Sequence, residues 1–286
     1  LKTTVAEYGG SDPKFFFASR EELLDHCDAV LVCAPNRTHP EIATAAVEAG
    51  KHVFCEKPFA ISVDEAAKLL ETANSTDKVF QVGHSRRFAP LYVKLKELLA
   101  DDPPHSAHIK MNRGELLRPA WTGDTNVTGG FLYETTIHFL DQLRFQFGEV
   151  EELIAYGSQH EYPEIDEFSL IFKFKKGFHC TFASSADAGW MFPFERIEVF
   201  CHHRTLVAEE MLRLFDGRGT NADYTTHSFH MLDEDTRKGF VAEDAAFVTA
   251  ILEGTAPPVT AEDGYRAVEL VEAVYQSIRR GEGVRL

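Results

Sequence analysis

Apolar residues in the first hundred positions gather in short unbroken runs, with amphipathic stretches between them. After Asp28 comes Ala29-Val30-Leu31-Val32-Cys33-Ala34. A run of that length bounded by turn signals predicts a parallel strand buried on both faces. His52-Val53-Phe54-Cys55 and Val79-Phe80-Gln81-Val82-Gly83 repeat the pattern. The amphipathic stretches open on capping boxes, Ser19-x-x-Glu22, Thr38-x-x-Glu41 and Ser62-x-x-Glu65. In such a box a hydroxyl and a carboxylate satisfy free N–H groups of the first helical turn. Ile42, Ala45, Ala46 and Val47 give the second helix its apolar face, and Gly50 its stop. Helices alternating with strands at this spacing predict βαβ units and an open parallel sheet.

Asp101-Asp102-Pro103-Pro104 breaks that rhythm and divides the chain into domains of residues 1–104 and 105–286. Residues 129–147 read as one helix. From residue 151 the apolar period becomes two. Phe168-Ser169-Leu170-Ile171-Phe172-Lys173-Phe174 and Phe178-His179-Cys180-Thr181-Phe182 flank Lys175-Lys176-Gly177, a hairpin signal. Residues 197–200 and 205–207 add strands. One helix around 240–252 and another from Thr260 to Arg280 close the chain. The fold class expected is α/β plus α+β: a parallel-sheet domain, then a domain with a large, mostly antiparallel sheet and flanking helices.

Composition narrows the function. The 286 residues are 44% hydrophobic and 26% charged, as in an ordinary globular protein and unlike a disordered one. Lys and Arg number 29 against 45 Asp and Glu, a formal net charge of −16. That balance excludes a nucleic-acid partner held by phosphate neutralisation. No apolar stretch reaches the length of a membrane helix, so no membrane partner is expected. Cys27, Cys33, Cys55, Cys180 and Cys201 are odd in number and form no CxxC pair. They read as reduced, mostly buried thiols in a reducing, cytoplasmic compartment. No zinc site is expected, because tight ligand spacing is missing and His202-His203, if on a strand, point to opposite faces.

Three clusters could carry chemistry. Cys33-Ala34-Pro35-Asn36-Arg37-Thr38-His39 lies at the carboxyl end of a predicted strand, the ligand edge of an open α/β sheet. An ordinary βα loop would have the same composition. Cys55-Glu56-Lys57-Pro58 occupies the next such edge, where a partly desolvated ammonium can donate to a substrate hydroxyl or a cofactor amide. A surface Glu–Lys pair is the alternative there. The third cluster, Gly129-Gly130-Phe131-Leu132-Tyr133-Glu134-Thr135-Thr136-Ile137-His138-Phe139-Leu140-Asp141, sets Glu134 and His138 four residues apart, on one face if the segment is α-helical. Asp141, three further on, could set the tautomer of His138. The glycine pair would let backbone approach a ligand closely. A helix with a lone, structurally satisfied His is the alternative.

In order and spacing the clusters resemble the family of glucose–fructose oxidoreductase, inositol dehydrogenase and rhizopine-catabolism proteins. The resemblance covers nearly all of the chain. It is carried by Ala34-Pro35-Asn36 with His39, by Ala49-Gly50-Lys51-His52-Val53 leading into Glu56-Lys57-Pro58, by Val82-Gly83 with Arg86-Arg87-Phe88, and by Gly129-Gly130 with His138 and Asp141. Thr260 to Gly264, Ser277 and Gly281 look like the family's last helix. The resemblance implies a Rossmann-like dinucleotide domain, NAD or NADP as cofactor, and hydride transfer to or from a hydroxyl or keto carbon of a sugar, inositol or related polyol. Lys57 would touch cofactor and substrate, and His138 would act as acid or base on the reacting oxygen. Glu134 and Asp141 would stand in the substrate pocket. Ala34, Pro35, Asn36 and His39 would line the cofactor pocket, supported by Glu56. Arg87 and Trp121 would lie near the nicotinamide or substrate, and residues 113–126 would set specificity. A homodimer or homotetramer through the second sheet is implied as well.

The sequence departs from the family pattern twice. Glu134 stands where Asp is usual, one methylene longer. No GxGxxG turn is present, and Leu1 matches a point after the family's second strand. The resemblance therefore implies a preceding segment of about 40 residues, a little more than one βαβ unit. The competing functions are a nicotinamide-using glycosidase of the same fold and a ligand-binding member that performs no reaction.

Overall fold

The computed structural model describes residues 17–112, 120–189, 191–220 and 223–286. The helix end expected over residues 1–9, and residues 113–119 of the specificity loop, lie outside that range.

The strands β1 (Ala29–Val32), β2 (His52–Glu56) and β3 (Phe80–Gly83) form a parallel sheet in that order. Val30 pairs with Val53 and Val53 with Phe80. Alternate residues of β2 serve opposite faces. Val53 and Cys55 face the main core, whereas Phe54 joins Val79, Phe247 and Ala250 in a separate cluster. Helix α1 (Arg20–Leu24) precedes the sheet; α2 (His39–Glu48) packs on β1 and β2, and α3 (Val63–Asn74) lies against α2.

Two of the three capping boxes supply the expected cap. Ser19 Oγ accepts the Glu22 N–H at 3.1 Å, and Ser62 Oγ accepts that of Glu65 at 3.3 Å. Thr38 departs. A 3-10 turn over Asn36–Thr38 runs directly into α2, so Thr38 already has helical φ and ψ. An N-cap needs extended backbone for its side chain to reach forward. The Thr38 hydroxyl instead turns back and donates to the Pro35 carbonyl at 2.7 Å.

Helix α4 (Pro90–Ala100) leads into the second sheet. Its strands are β4 (Ser106–Met111), β5 (Val150–Ser158), β6 (Glu167–Phe174), β7 (His179–Ser185), β8 (Glu195–Cys201), β9 (Arg204–Glu209), β10 (Arg213–Arg218), β11 (Tyr224–Ser228) and β12 (Val284–Arg285). Their order is β11-β10-β9-β8-β4-β7-β6-β5-β12. All pairs are antiparallel except β4 with β7. The β6–β7 hairpin turns at Gly177, whose φ of +83° suits glycine. His202 and His203 lie in the turn between β8 and β9 rather than on a strand, with ring centroids 4.2 Å apart.

Alternation decides which face is covered. Phe168, Leu170, Phe172 and Phe174 are buried, while Ser169, Ile171 and Lys173 between them are exposed. The buried face receives α6 (Ile137–Phe147), through Phe139 on Phe182 and Phe147 on Phe174 and Phe178. Each such aromatic side chain contributes about 1.5–3 kcal/mol on burial.

The chain's end then returns to the first sheet. After the short α7 (Glu234–Lys238), α8 (Phe240–Glu253) sets Phe247 against Phe54. Helix α9 (Ala261–Arg280) packs on α3, α6, β3 and β5 and so joins both sheets. Gly264 makes this close approach possible, because a Cβ there would come within 2.9 Å of Phe59 and Val82. The cut at residue 104 separates the two sheets but not their cores. Of the five cysteines, all free, Cys55, Cys180 and Cys201 are buried, whereas Cys33 is exposed.

Candidate active site

The carboxyl ends of β1 and β2 and the segment after Gly130 converge. Lys57 leaves the end of β2 before a cis peptide to Pro58. Its Nζ donates to the main-chain carbonyl of Glu134 at 2.6 Å and stands 3.4 Å from Glu134 Oε1. The other carboxylate oxygen of Glu134 accepts from Asn36 Nδ2 at 2.7 Å. Asn36 also donates to the Thr128 carbonyl at 3.0 Å, so one amide ties β1 to the opposite segment. Lys57 and Glu134 each keep 14% of their side-chain surface exposed. Asn36 behind them is closed off at 5%. The pair is thus partly desolvated yet open on one side, where its electrostatics are stronger than at a free surface.

The expected single helix over 129–147 is broken. A short turn α5 (Thr125–Thr128) ends at Gly129, whose φ of +85° closes it. Residues 132–136 then form a π turn that continues into α6. The wider turn rotates Glu134 relative to His138 from the α-helical register, and it presents the Glu134 carbonyl to Lys57. π turns of this kind recur at functional sites. The space beside the two glycines is filled by protein: Gly129 abuts Ile61 and Tyr133, and Gly130 abuts Glu164 and Tyr275.

Glu56 flanks the pair. Its Oε2 accepts the Lys57 N–H at 3.1 Å, and Gly83 across the ladder leaves room for the carboxylate. Burial raises the Glu56 carboxyl above its usual range, and the nearby Lys57 charge opposes that rise. His39 takes a different place from the one expected. Its ring is 1% exposed, with Nδ1 2.8 Å from the Pro58 carbonyl and Nε2 2.8 Å from the Ala34 carbonyl. It joins the loops after β1 and β2. Burial lowers its pKa, against the pull of both carbonyls.

Arg87 and Asp141 are drawn together rather than to Lys57. Arg87 donates Nε and Nη2 to the Asp141 oxygens at 2.8 and 2.6 Å, and Nη2 also to Asp263 at 2.9 Å. Asp141 is 1% exposed. Arg144 extends this network to Asp263 and Glu149. A buried carboxylate needs such a partner, and the one it finds is 54 residues away in sequence. Asp141 therefore faces Arg87. Ala34 and Pro35 stay at the end of β1, each lending its carbonyl to a local bond. Trp121 is exposed on a 3-10 turn that packs on α5, which in turn packs on the turn bearing Asn36. His138 is partly buried at the start of α6.

The arrangement suits the nicotinamide end of a dinucleotide. An ammonium and a carboxylate stand at the carboxyl edge of a parallel sheet, where ligands of open α/β folds bind.

Comparison with known proteins agrees. Residues 2–84 match the model of an oxidoreductase family with an NAD-binding Rossmann fold. Residues 92–207 match the GFO/IDH/MocA C-terminal domain, and residues 205–286 an oxidoreductase-family C-terminal alpha/beta domain. The chain belongs to the GFO/IDH/MocA oxidoreductase family. Within it, the chain is 30% identical over 270 residues to myo-inositol 2-dehydrogenase of Thermotoga maritima, covering 91% of this chain and 80% of that relative. It is 24% identical to scyllo-inositol 2-dehydrogenase (NAD(+)) of Bacillus subtilis, over 91% of this chain and 78% of that one. In fold it resembles levoglucosan dehydrogenase, solved with NADH and levoglucosan, at a TM-score of 0.89 and 19% identity over 99% of this chain and 86% of that one. The GFO/IDH/MocA architecture is thus the two-sheet arrangement described above, and its first domain is of the NAD-binding Rossmann type.

Two residues of the site carried no local sequence signal. Thr128 acts through its carbonyl, which composition cannot reveal. Glu164 lies in an ordinary polar loop. The glycine pair beside it was the one available clue, since close approach needs an occupant.

Proposed function

We propose that this protein oxidises a ring hydroxyl of an inositol, a sugar or a related polyol, or reduces the matching ketone, with NAD. The observation that carries the reading is the Lys57–Glu134–Asn36 cluster at the carboxyl edge of the parallel sheet. When bound, the nicotinamide supplies or accepts the hydride. Lys57 would hold its reactive end, backed by Asn36, with Ala34, Pro35 and Glu56 shaping the floor and Trp121 flanking the entrance. Lys57 Nζ, steadied by Glu134, donates to the substrate oxygen and offsets the negative charge that grows there. An imidazole nitrogen of His138 takes the hydroxyl proton in oxidation and returns it in reduction. Glu134 positions Lys57 and accepts from a neighbouring hydroxyl.

The test is nicotinamide absorbance during turnover of an inositol and sugar panel, with His138→Ala beside the native chain. Turnover abolished in the variant supports the reading. No turnover of any polyol, or an unaffected variant, refutes it.

We further propose a homodimer or homotetramer through the uncovered face of the second sheet. Tyr156, Ile171, Thr181, His108 and Phe215 lie on that face, opposite the one taken by the helices. Light scattering returning a monomer mass would exclude it. Free thiols support a cytoplasmic location. No helix among the described residues is long and apolar enough to cross a membrane.

A further inference from the structure

The first N–H groups of a helix have no partner within it and must find one elsewhere. At the helix that carries Glu134 and His138 the first of them finds its partner in a distant segment. Glu164, in the loop between β5 and β6, accepts the Phe131 N–H on Oε2 at 2.8 Å. Tyr275, on α9, brings its hydroxyl to the same corner. Both side chains press against Gly130, where any Cβ would collide with the Glu164 carboxylate and come within 3.3 Å of the Tyr275 oxygen. The φ of +107° at Gly130 also favours glycine. Aromatic packing fixes the same corner: Phe131 stacks on Phe168 with centroids 6.2 Å apart, and Tyr275 meets Phe168 edge-on.

The loop that delivers Glu164 is itself held firmly. Asp166 is fully buried and accepts the N–H groups of His160, Glu161 and Tyr162 at 2.9, 2.7 and 2.9 Å. Its own N–H donates to the Ser158 carbonyl at 3.1 Å, and its carbonyl accepts from Ala186 at 2.9 Å. A carboxylate so anchored at a helix N-terminus satisfies the free donors and complements the positive end of the helix dipole. The π turn begins at Leu132, directly after the capped amide, so the cap sets where the wide turn starts. That starting point fixes the rotation of Glu134 and His138 about the helix axis.

We propose that Glu164 is a positioning residue of the reaction: it caps the π turn from outside and sets the direction in which Glu134 and His138 face the substrate. This rests on the reading that those two residues act at the substrate, and it adds a residue that touches neither substrate nor cofactor. A misplacement of about 1 Å can cost up to about a hundredfold in rate.

The experiment compares Glu164→Ala, Glu164→Gln and Glu164→Asp with the native chain. The readouts are kcat and KM on inositol, NAD affinity by calorimetry, and amide hydrogen exchange over residues 131–136. Glu164→Ala is expected to lower kcat about tenfold or more with NAD affinity unchanged, and to speed exchange at Phe131 and Leu132. Glu164→Gln, which keeps an acceptor oxygen, is expected to restore both. Turnover as in the native chain despite faster exchange in Glu164→Ala overturns the proposal. So does an equal loss in Glu164→Gln, or unchanged exchange in Glu164→Ala. If Glu164→Ala does not fold, Glu164→Asp, which draws the acceptor back by one methylene, decides by the same readouts. If the native chain turns over no polyol, the proposed function fails, while the exchange contrast still decides the cap.

Discussion

Replacing Asn36 by Asp would exchange one heavy atom, the amide nitrogen for an oxygen, and reverse the sign of two contacts. The native amide donates to Glu134 Oε2 at 2.7 Å and to the Thr128 carbonyl at 3.0 Å. A bond to a charged acceptor is worth about 1.5–3 kcal/mol and one to a neutral carbonyl about 1 kcal/mol, so their loss sums to about 3 kcal/mol. The introduced carboxylate would then stand at hydrogen-bond distance from that of Glu134. Two carboxylates sharing a site cannot both ionise freely, and one takes up a proton well above its ordinary pKa. Lys57 Nζ, 3.4 Å from the other oxygen of Glu134, relieves only part of that repulsion. Asn36→Asp should therefore cost about 3 kcal/mol or more at about pH 8, and markedly less near about pH 5, where a shared proton restores a bridge. Urea denaturation of both chains across that range measures the difference. Asn36→Ala, which removes the donors without adding charge, should show a cost that hardly varies with pH. A pH-independent cost in Asn36→Asp, or one below about 1 kcal/mol, would refute the assignment of Asn36 as the donor that holds Glu134.

Lys57→Met and His138→Ala should each lower kcat by about a hundredfold or more in steady-state assays, because each removes a proton donor or acceptor at the reacting oxygen. Burial lifts the Glu243 carboxyl to about 9 and depresses the His84 imidazole to about 4. The folded chain retains the Glu243 proton between its ordinary range and about pH 9, so stability from this group is full in acid and declines as pH rises through that window. His84 acts in the other direction, since the unfolded chain takes up its proton first and stability declines from about pH 6.5 toward pH 4. Glu243→Gln should gain melting temperature over the native chain increasingly as pH rises, and a gain that is flat with pH would count against a titrating Glu243. Gly264→Ala should destabilise by about 1–3 kcal/mol in chemical denaturation, because its Cβ meets Phe59 and Val82 at 2.9 Å.

Local chemistry by itself determined a great deal here. The serine caps at Ser19 and Ser62, the apolar runs of β1 to β3 and the hairpin at Gly177 all depend on residues within a few positions of one another, and each is where its pattern placed it. The order of the motifs likewise singled out Lys57 and Glu134, which the fold brings together. Tertiary structure decided which partner each polar group takes. Lys57 and Glu134 are 77 residues apart, Asn36 and Glu134 are 98 apart, and no short-range periodicity encodes either contact. A buried charge or donor must find a partner in three dimensions, and the nearest suitable one claims it. That is why Asp141 belongs to Arg87, why the His39 ring turns inward to two carbonyls, and why Thr38 abandons its cap once the preceding turn makes its backbone helical. It is also why Glu164, unremarked in its loop, caps the helix that bears Glu134 and His138.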